Sequence, residues 1–96
     1  MKAPFRCRIP DEAAQRVRGL HPQLKRKIRA GIELLAREPF AGKALRAEYD
    51  GLRSLRVGRY RIVYRIASRR IIEIVDIGPR ATIYAETLRL IAKQDA

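Results

Sequence analysis

Most of the usual apparatus of metal and hydrolytic chemistry is missing from this chain. It has one cysteine, Cys7, and one histidine, His21. A lone cysteine excludes an internal disulfide and a cysteine-ligated metal site. A lone histidine removes most zinc sites and any His–His acid/base pair. It also leaves a Ser-His-Asp set resting on one residue in a turn beside Pro22. The ten acidic residues are scattered, with no DxD or paired-Glu spacing of the kind that holds Mg²⁺. No GxGxxG or P-loop glycine pattern occurs. No apolar run approaches the roughly 18 residues that spanning a bilayer requires. After Met1 the chain runs directly into KAPFRCRIP, without the apolar region of a signal peptide. The expectation is a protein of the reducing cytoplasm that uses neither metal nor cofactor and does not engage a membrane.

Acid is scarce; base is not. Lys and Arg total 22 against 10 Asp and Glu, for a net charge of +12 and a pI near 11.1. Most of the cations are arginine, whose planar fork matches phosphate oxygens. Such a surface attracts polyanions at long range and releases counterions on binding. A hydrophobic content of 47% separates the chain from disordered basic tails. Residues 1–96 fit one domain with a modest core. Repeats, low-complexity tracts and linkers are absent.

Phe5 to Ile9 alternates apolar and charged residues and stops at Pro10, as a first strand does. Asp11 is placed to cap a short helix with Ala13, Ala14, Val17 and Leu20 inward. Leu24, Ile28, Ile32 and Leu35 predict a second helix from Pro22 to about Glu38, halted by Pro39. Residues 39–50 have no clear period, with Leu45 and Tyr49 as anchors. Strands follow at about 51–57, 59–67 and 70–77, turned by Gly58 and by Ser68-Arg69 into an antiparallel meander. The last, IIEIVDI, is nearly all apolar and is expected inside the sheet with both faces covered. A final helix spans about Ala81 to Lys93, with Ile83, Thr87, Leu90 and Ile91 near one face. The order is βααβββα: an α+β fold with an antiparallel sheet, a helical hairpin on one face and a C-terminal helix.

Within the meander Arg59, Arg61 and Arg65 share one parity, while Tyr60, Ile62, Tyr64 and Ile66 share the other. One face can pack on a core while the other meets a polyanion, for which RNA is the first candidate. Arg56 and Arg61 flank the turn at Gly58. Arg80 and Tyr84 stand four residues apart and share a face if the last helix begins early enough. RNA cleavage needs an acceptor for the 2′-OH proton, positive charge for the phosphorane and a donor for the 5′-oxygen. Arginines serve the second need as fixed charges. A tyrosine or lysine among cations can serve the others. Each residue also has a structural alternative: Arg56 or Arg61 paired with Glu73 or Asp76, and Tyr84 closing the core.

The string LRVGRYRIVYRI, followed by IVDIGPRATIY, resembles the RelE/ParE toxins of bacterial and archaeal toxin–antitoxin pairs. The G-x-Y-R-x-x-Y block, the trailing G-x-R-x-x-x-Y and the element order all agree, and the likeness covers most of the chain. In that family the RelE branch cuts mRNA in the ribosomal A site without a metal, whereas the ParE branch inhibits DNA gyrase. Carried over by position, the resemblance makes Arg61 the contact to the scissile phosphate. Arg80 and Tyr84 become the arginine and tyrosine beyond the last strand, and Arg56 a basic residue before the turn. Arg53, Arg59, Arg65 and Lys43 complete the expected RNA-binding set. Two strand positions where RelE enzymes often carry lysine are Leu52 and Ser54 here, which leaves Arg53, Lys43 or Tyr84 to stand in as base. The implied partners are an acidic cognate antitoxin, in a toxin–antitoxin hetero-oligomer, and mRNA on the ribosome.

Overall fold

The computed structural model describes residues 4–45, 51–67 and 70–95. Its elements are β1 (Arg6–Arg8), α1 (Asp11–Arg18), α2 (Pro22–Arg37), β2 (Lys43–Ala44), β3 (Arg53–Val57), β4 (Tyr60–Ala67), β5 (Ile71–Pro79) and α3 (Arg80–Asp95). The α+β class and the order of helices and main strands are those expected. Two-residue β2 is the addition, in the stretch where the sequence has no period.

The strands form one sheet in the order β1-β5-β4-β3-β2. The meander β3–β4–β5 is antiparallel, but β1 joins β5 in parallel, so the sheet is mixed. The parallel pairing follows from topology, because the chain runs from β1 through the helical hairpin before returning. β3 and β4 are joined by Gly58 and Arg59, and Gly58 has φ +59°. Glycine at the first of two turn residues suits the twist of the flanking strands. The expected Ser68-Arg69 turn and the Tyr49 anchor lie outside the described residues.

Strand parity separates two cores. Ile62, Tyr64, Ile72, Ile74 and Ile77 pack against Ala13, Ile28 and Leu35 of the helical hairpin, joined by Tyr60 and Ile66 at its margin. On the other face Val63 and Leu52 meet Ile83 of α3, with Val75, Tyr84 and Ile91 around them. The three helices therefore do not share one side: α3 turns back at Pro79 and covers the face that the hairpin leaves bare. β5 is interior and covered on both faces, as its composition predicts. Val75 is an extra residue against β4, since Val63 pairs with Asp76 while Tyr64 pairs with Ile74. That bulge turns both Val75 and Asp76 toward the α3 side.

Local chemistry fixes the helix ends. Asp11 is not the cap of α1. Pro10 holds that position without a side-chain bond, and Asp11 and Glu12 form the first turn, where negative charge suits the helix dipole. His21 is the cap of α2, its Nδ1 accepting from Gln23 N at 3.2 Å, with Pro22 just inside. The one histidine is thus occupied in starting a helix. Gly31 is the contact point of α2 on the sheet, since a Cβ there would stand 3.1 Å from Val57 Cγ2 and 3.2 Å from Ile62 Cδ1.

Candidate functional site

Beside the Gly58 turn, on the α3 face, is an open hollow of about 470 Å³ lined by Lys43, Ser54, Arg56, Arg61 and Tyr84, among others. Strand pairing builds it. Ser54 and Arg56 alternate on β3, Arg56 lies opposite Arg61 of β4, and Lys43 of β2 lies opposite Ser54. Tyr84 descends from α3, its hydroxyl 3.4 Å from Ser54 Oγ. Among the described residues none of the lining side chains is a carboxylate.

The floor is held from the hairpin side. Tyr64 is fully buried; its hydroxyl donates to Pro39 O at 2.7 Å and accepts from Gly42 N at 3.0 Å. A Cβ at Gly42 would come within 2.7 Å of both Ser54 O and Tyr64 Oη, so only glycine fits there. Leu45 packs at the edge of the second core, as expected. These contacts hold Lys43 over the sheet although its own strand is only two residues long.

Not every arginine of the expected set reaches this place. Arg53 has the opposite parity and is spent on structure. Its Nη2 donates to Gly42 O and to Phe40 O, and its guanidinium lies 5.1 Å from the centre of the Phe40 ring. Arg65 pairs with Glu73 at 2.9 Å. The structural alternative framed for Arg56 and Arg61 thus falls to Arg65, and Asp76 is taken by Arg16 at 2.9 Å. Arg59 is in the turn rather than on the strand, so its shared parity with Arg61 has no meaning. α3 does begin at Arg80, but Arg80 and Tyr84 line different hollows. Arg80 borders one of about 460 Å³ with Arg56, Arg59 and Pro79. Arg56 lines both hollows and so connects them.

The structure therefore gathers Lys43, Arg56, Arg59, Arg61, Arg80 and Tyr84 at one end of the sheet. Among the described residues, none of the four arginines is in an ion pair. Guanidinium and ammonium groups of one sign around polar hydroxyls attract a phosphodiester and stabilise developing negative charge. No group of three His, Cys, Asp or Glu side chains that could hold a metal occurs among the described residues. No helix among them is long and apolar enough to cross a membrane. Ser54 was not singled out in the sequence as a site residue, although its i, i+2 spacing from Arg56 on β3 puts both on one face. Gly42 carried no signal at all.

Known proteins share this α+β fold. A family model described as the ParE toxin of type II toxin–antitoxin systems matches residues 7–84. A chain of the toxin–antitoxin complex RelBE2 from Mycobacterium tuberculosis is 32% identical, with TM-score 0.66, over 84% of this chain and 97% of that one. A RelE mutant from Escherichia coli in its free state superposes with TM-score 0.71 at 18% identity, over 95% and 97% of the two chains. A chain of the archaeal RelE–RelB complex from Pyrococcus horikoshii gives 0.67 at 23%, over 80% and 96%. Curated protein sequences contain no match. The chain belongs to the ParE toxin family of type II toxin–antitoxin systems, and it is the toxin member of such a pair.

Proposed function

We propose that the toxin acts on RNA as a metal-independent endoribonuclease directed at ribosome-bound mRNA. The observation that carries this reading is the hollow that joins Arg56 and Arg61 to Lys43, Ser54 and Tyr84, with no carboxylate among its described lining residues. In the reaction the 2′-oxygen forms a bond to phosphorus, the P–O5′ bond breaks, and a 2′,3′-cyclic phosphate remains. Arg61 and Arg56 hold the charge of the pentavalent phosphorus. Guanidinium stays protonated in proteins, so the arginines do not take the 2′-proton. That leaves Lys43 and Tyr84 to take the 2′-proton and to return one to the 5′-oxygen as it leaves. Lys43 also answers the missing strand lysine, because its register partner is Ser54. Arg59 and Arg80, in the adjoining hollow, suit the neighbouring phosphates of the strand.

The test is to map mRNA ends on ribosomes after brief induction. New ends within codons are expected from the wild type, and Arg61→Ala and Tyr84→Phe are expected to lose them while the domain stays folded. Undiminished cleavage in both variants would reject the reading. A second reading, inhibition of DNA gyrase by binding, is favoured by the ParE family match and by Leu52, which is core rather than solvent-facing. Loss of supercoiling with intact mRNA selects it. The acidic partner is the cognate antitoxin; similar chains are found in the toxin–antitoxin complexes RelBE2 of Mycobacterium tuberculosis and RelBE of Escherichia coli. Co-expression with the product of a neighbouring acidic gene is expected to abolish growth arrest.

A further inference from the structure

A different hollow, of about 390 Å³, lies between α1 and α3. At its base one nitrogen joins three elements. Arg16 Nη1 of α1 donates to Asp76 Oδ1 at 2.9 Å, to Ile77 O at 2.8 Å and to Glu86 Oε2 of α3 at 3.2 Å. β1 covers β5 only along Ile71–Glu73, so this stretch of β5 edge is closed by side chains instead. Asp76 Oδ1 takes the Ile77 N–H as well, at 2.9 Å. Gly78 makes the approach possible, since a Cβ there would stand 3.2 Å from Ile83 Cδ1 and 3.4 Å from Arg16 Nη1. The glycine of the G-x-R-x-x-x-Y motif thus seats a helix.

Charge within this cluster does not balance. Two carboxyl groups face one guanidinium, and Asp76 is only 3% exposed. Its Oδ2 is buried with no donor among the described residues. The other charged groups lining the hollow are Glu12 from α1 and Arg89 from α3, both exposed. A proton on Asp76, hydrogen-bonded to Glu86, leaves one negative charge opposite Arg16. Burial first, and then the hydrogen bond with Glu86, raise the Asp76 carboxyl to about 6 despite the opposing pull of Arg16.

Glu86 is two residues beyond Tyr84 on α3, so whatever seats Glu86 also sets where the Tyr84 hydroxyl stands against Ser54. We propose that Arg16 is a positioning residue for the cationic site: by bonding Asp76, Ile77 O and Glu86 at once, it fixes α3 on β5 and thereby places Tyr84. That this placement matters for RNA rests on the endoribonuclease reading; that Arg16 sets it does not. When Asp76 gives up its proton, the two carboxylates repel across one cation and the seat of α3 loosens.

The experiment uses the full chain labelled with fluorotyrosine, with Tyr84→Phe assigning the Tyr84 fluorine signal. That signal is expected to shift with a midpoint near pH 6 in the wild type and to lose the transition in Glu86→Gln. In Arg16→Met, amide exchange is expected to accelerate along residues 80–91 while α2 and β4 keep their rates, and Arg16→Lys is expected to restore part of the protection. A Tyr84 signal indifferent both to pH 5–7 and to Glu86→Gln overturns the proposal, as does exchange that rises uniformly. Should Arg16→Met fail to fold, the wild-type titration and Glu86→Gln decide alone. A double-mutant cycle between Arg16→Lys and Tyr84→Phe, read as affinity for a single-stranded RNA oligonucleotide, is expected to be non-additive; additivity counts against action through Tyr84. A wild type that does not bind the oligonucleotide removes the RNA reading and leaves the fluorine result to judge Arg16.

Discussion

The two flanks of α3 treat arginine in opposite ways. On one flank Arg16 is surrounded by acceptors and joins a helix, a strand edge and a second helix. On the other, Arg56 and Arg61 face each other across paired strands with no carboxylate among the described lining residues. The same side chain stabilises the fold in the first place and works against it in the second. What marks a site in so basic a protein is therefore not the presence of arginines. Among the described residues it is the withholding of acids from some of them, while Glu73, Asp76 and Glu86 are assigned to others.

Substitutions can break that contrast. Gly42→Ala is expected to have the largest effect, because its methyl would meet Ser54 O and Tyr64 Oη within 2.7 Å. A loss of roughly 2–3 kcal/mol in urea denaturation is expected, with the acidic flank unaffected in structure. Tyr64→Phe, which leaves Pro39 O and Gly42 N without their partner, should cost roughly 1–3 kcal/mol by the same measurement.

Arg61→Ala should leave stability nearly unchanged yet weaken binding to a single-stranded RNA oligonucleotide about tenfold, a difference of about 1.4 kcal/mol. The salt dependence of that affinity should fall by roughly 0.7 in log–log slope, as one phosphate contact is lost. Arg65→Ala is the matched control. Its exposed pair with Glu73 is worth at most about 1 kcal/mol, and RNA affinity should hardly move. Equal losses from Arg61→Ala and Arg65→Ala would erase the distinction between withheld and paired arginines.

The acidic flank has its own signature in pH. Asp76 titrates higher in the folded protein, near 6, than its ordinary 3.8. The native state therefore holds that proton more tightly than the unfolded chain does. The resulting stability is fully present below pH 3.8 and is lost as pH rises through about 6. Asp76→Asn should flatten that slope in denaturation curves between those limits. An unchanged slope would show that Asp76 is not the group responsible.

Much of this was legible before the structure. Alternation in RYRIVYRI and the 3.6-residue spacing of Leu24, Ile28 and Leu35 reported real core faces, because burial repeats with the geometry of the element. Parity also put Arg61 on the face away from the hairpin. What parity could not give was which acids lie nearby, since those contacts cross long stretches of chain: Arg16 reaches Asp76 and Glu86 from 60 and 70 residues away. Nor could it tell that Arg53 is tied to the backbone at Phe40 and Gly42, a matter of close packing rather than pattern. The Val75 bulge hid a further fact. It turns Asp76 onto the α3 side, where simple alternation from Ile72 and Ile74 would bury it under the hairpin.

The Gly58 turn brings Arg56 and Arg61 into register and sets Arg59 beside Arg80. Folding thus compresses like charges that an unfolded chain would keep apart, and the apolar cores hold them together against their repulsion. Such a molecule carries a built-in debt that any anion of the right shape relieves. Its melting temperature should climb with polyphosphate or an acidic peptide well before either reaches saturation. By the same tension, an acidic partner is expected to stabilise the fold as it binds.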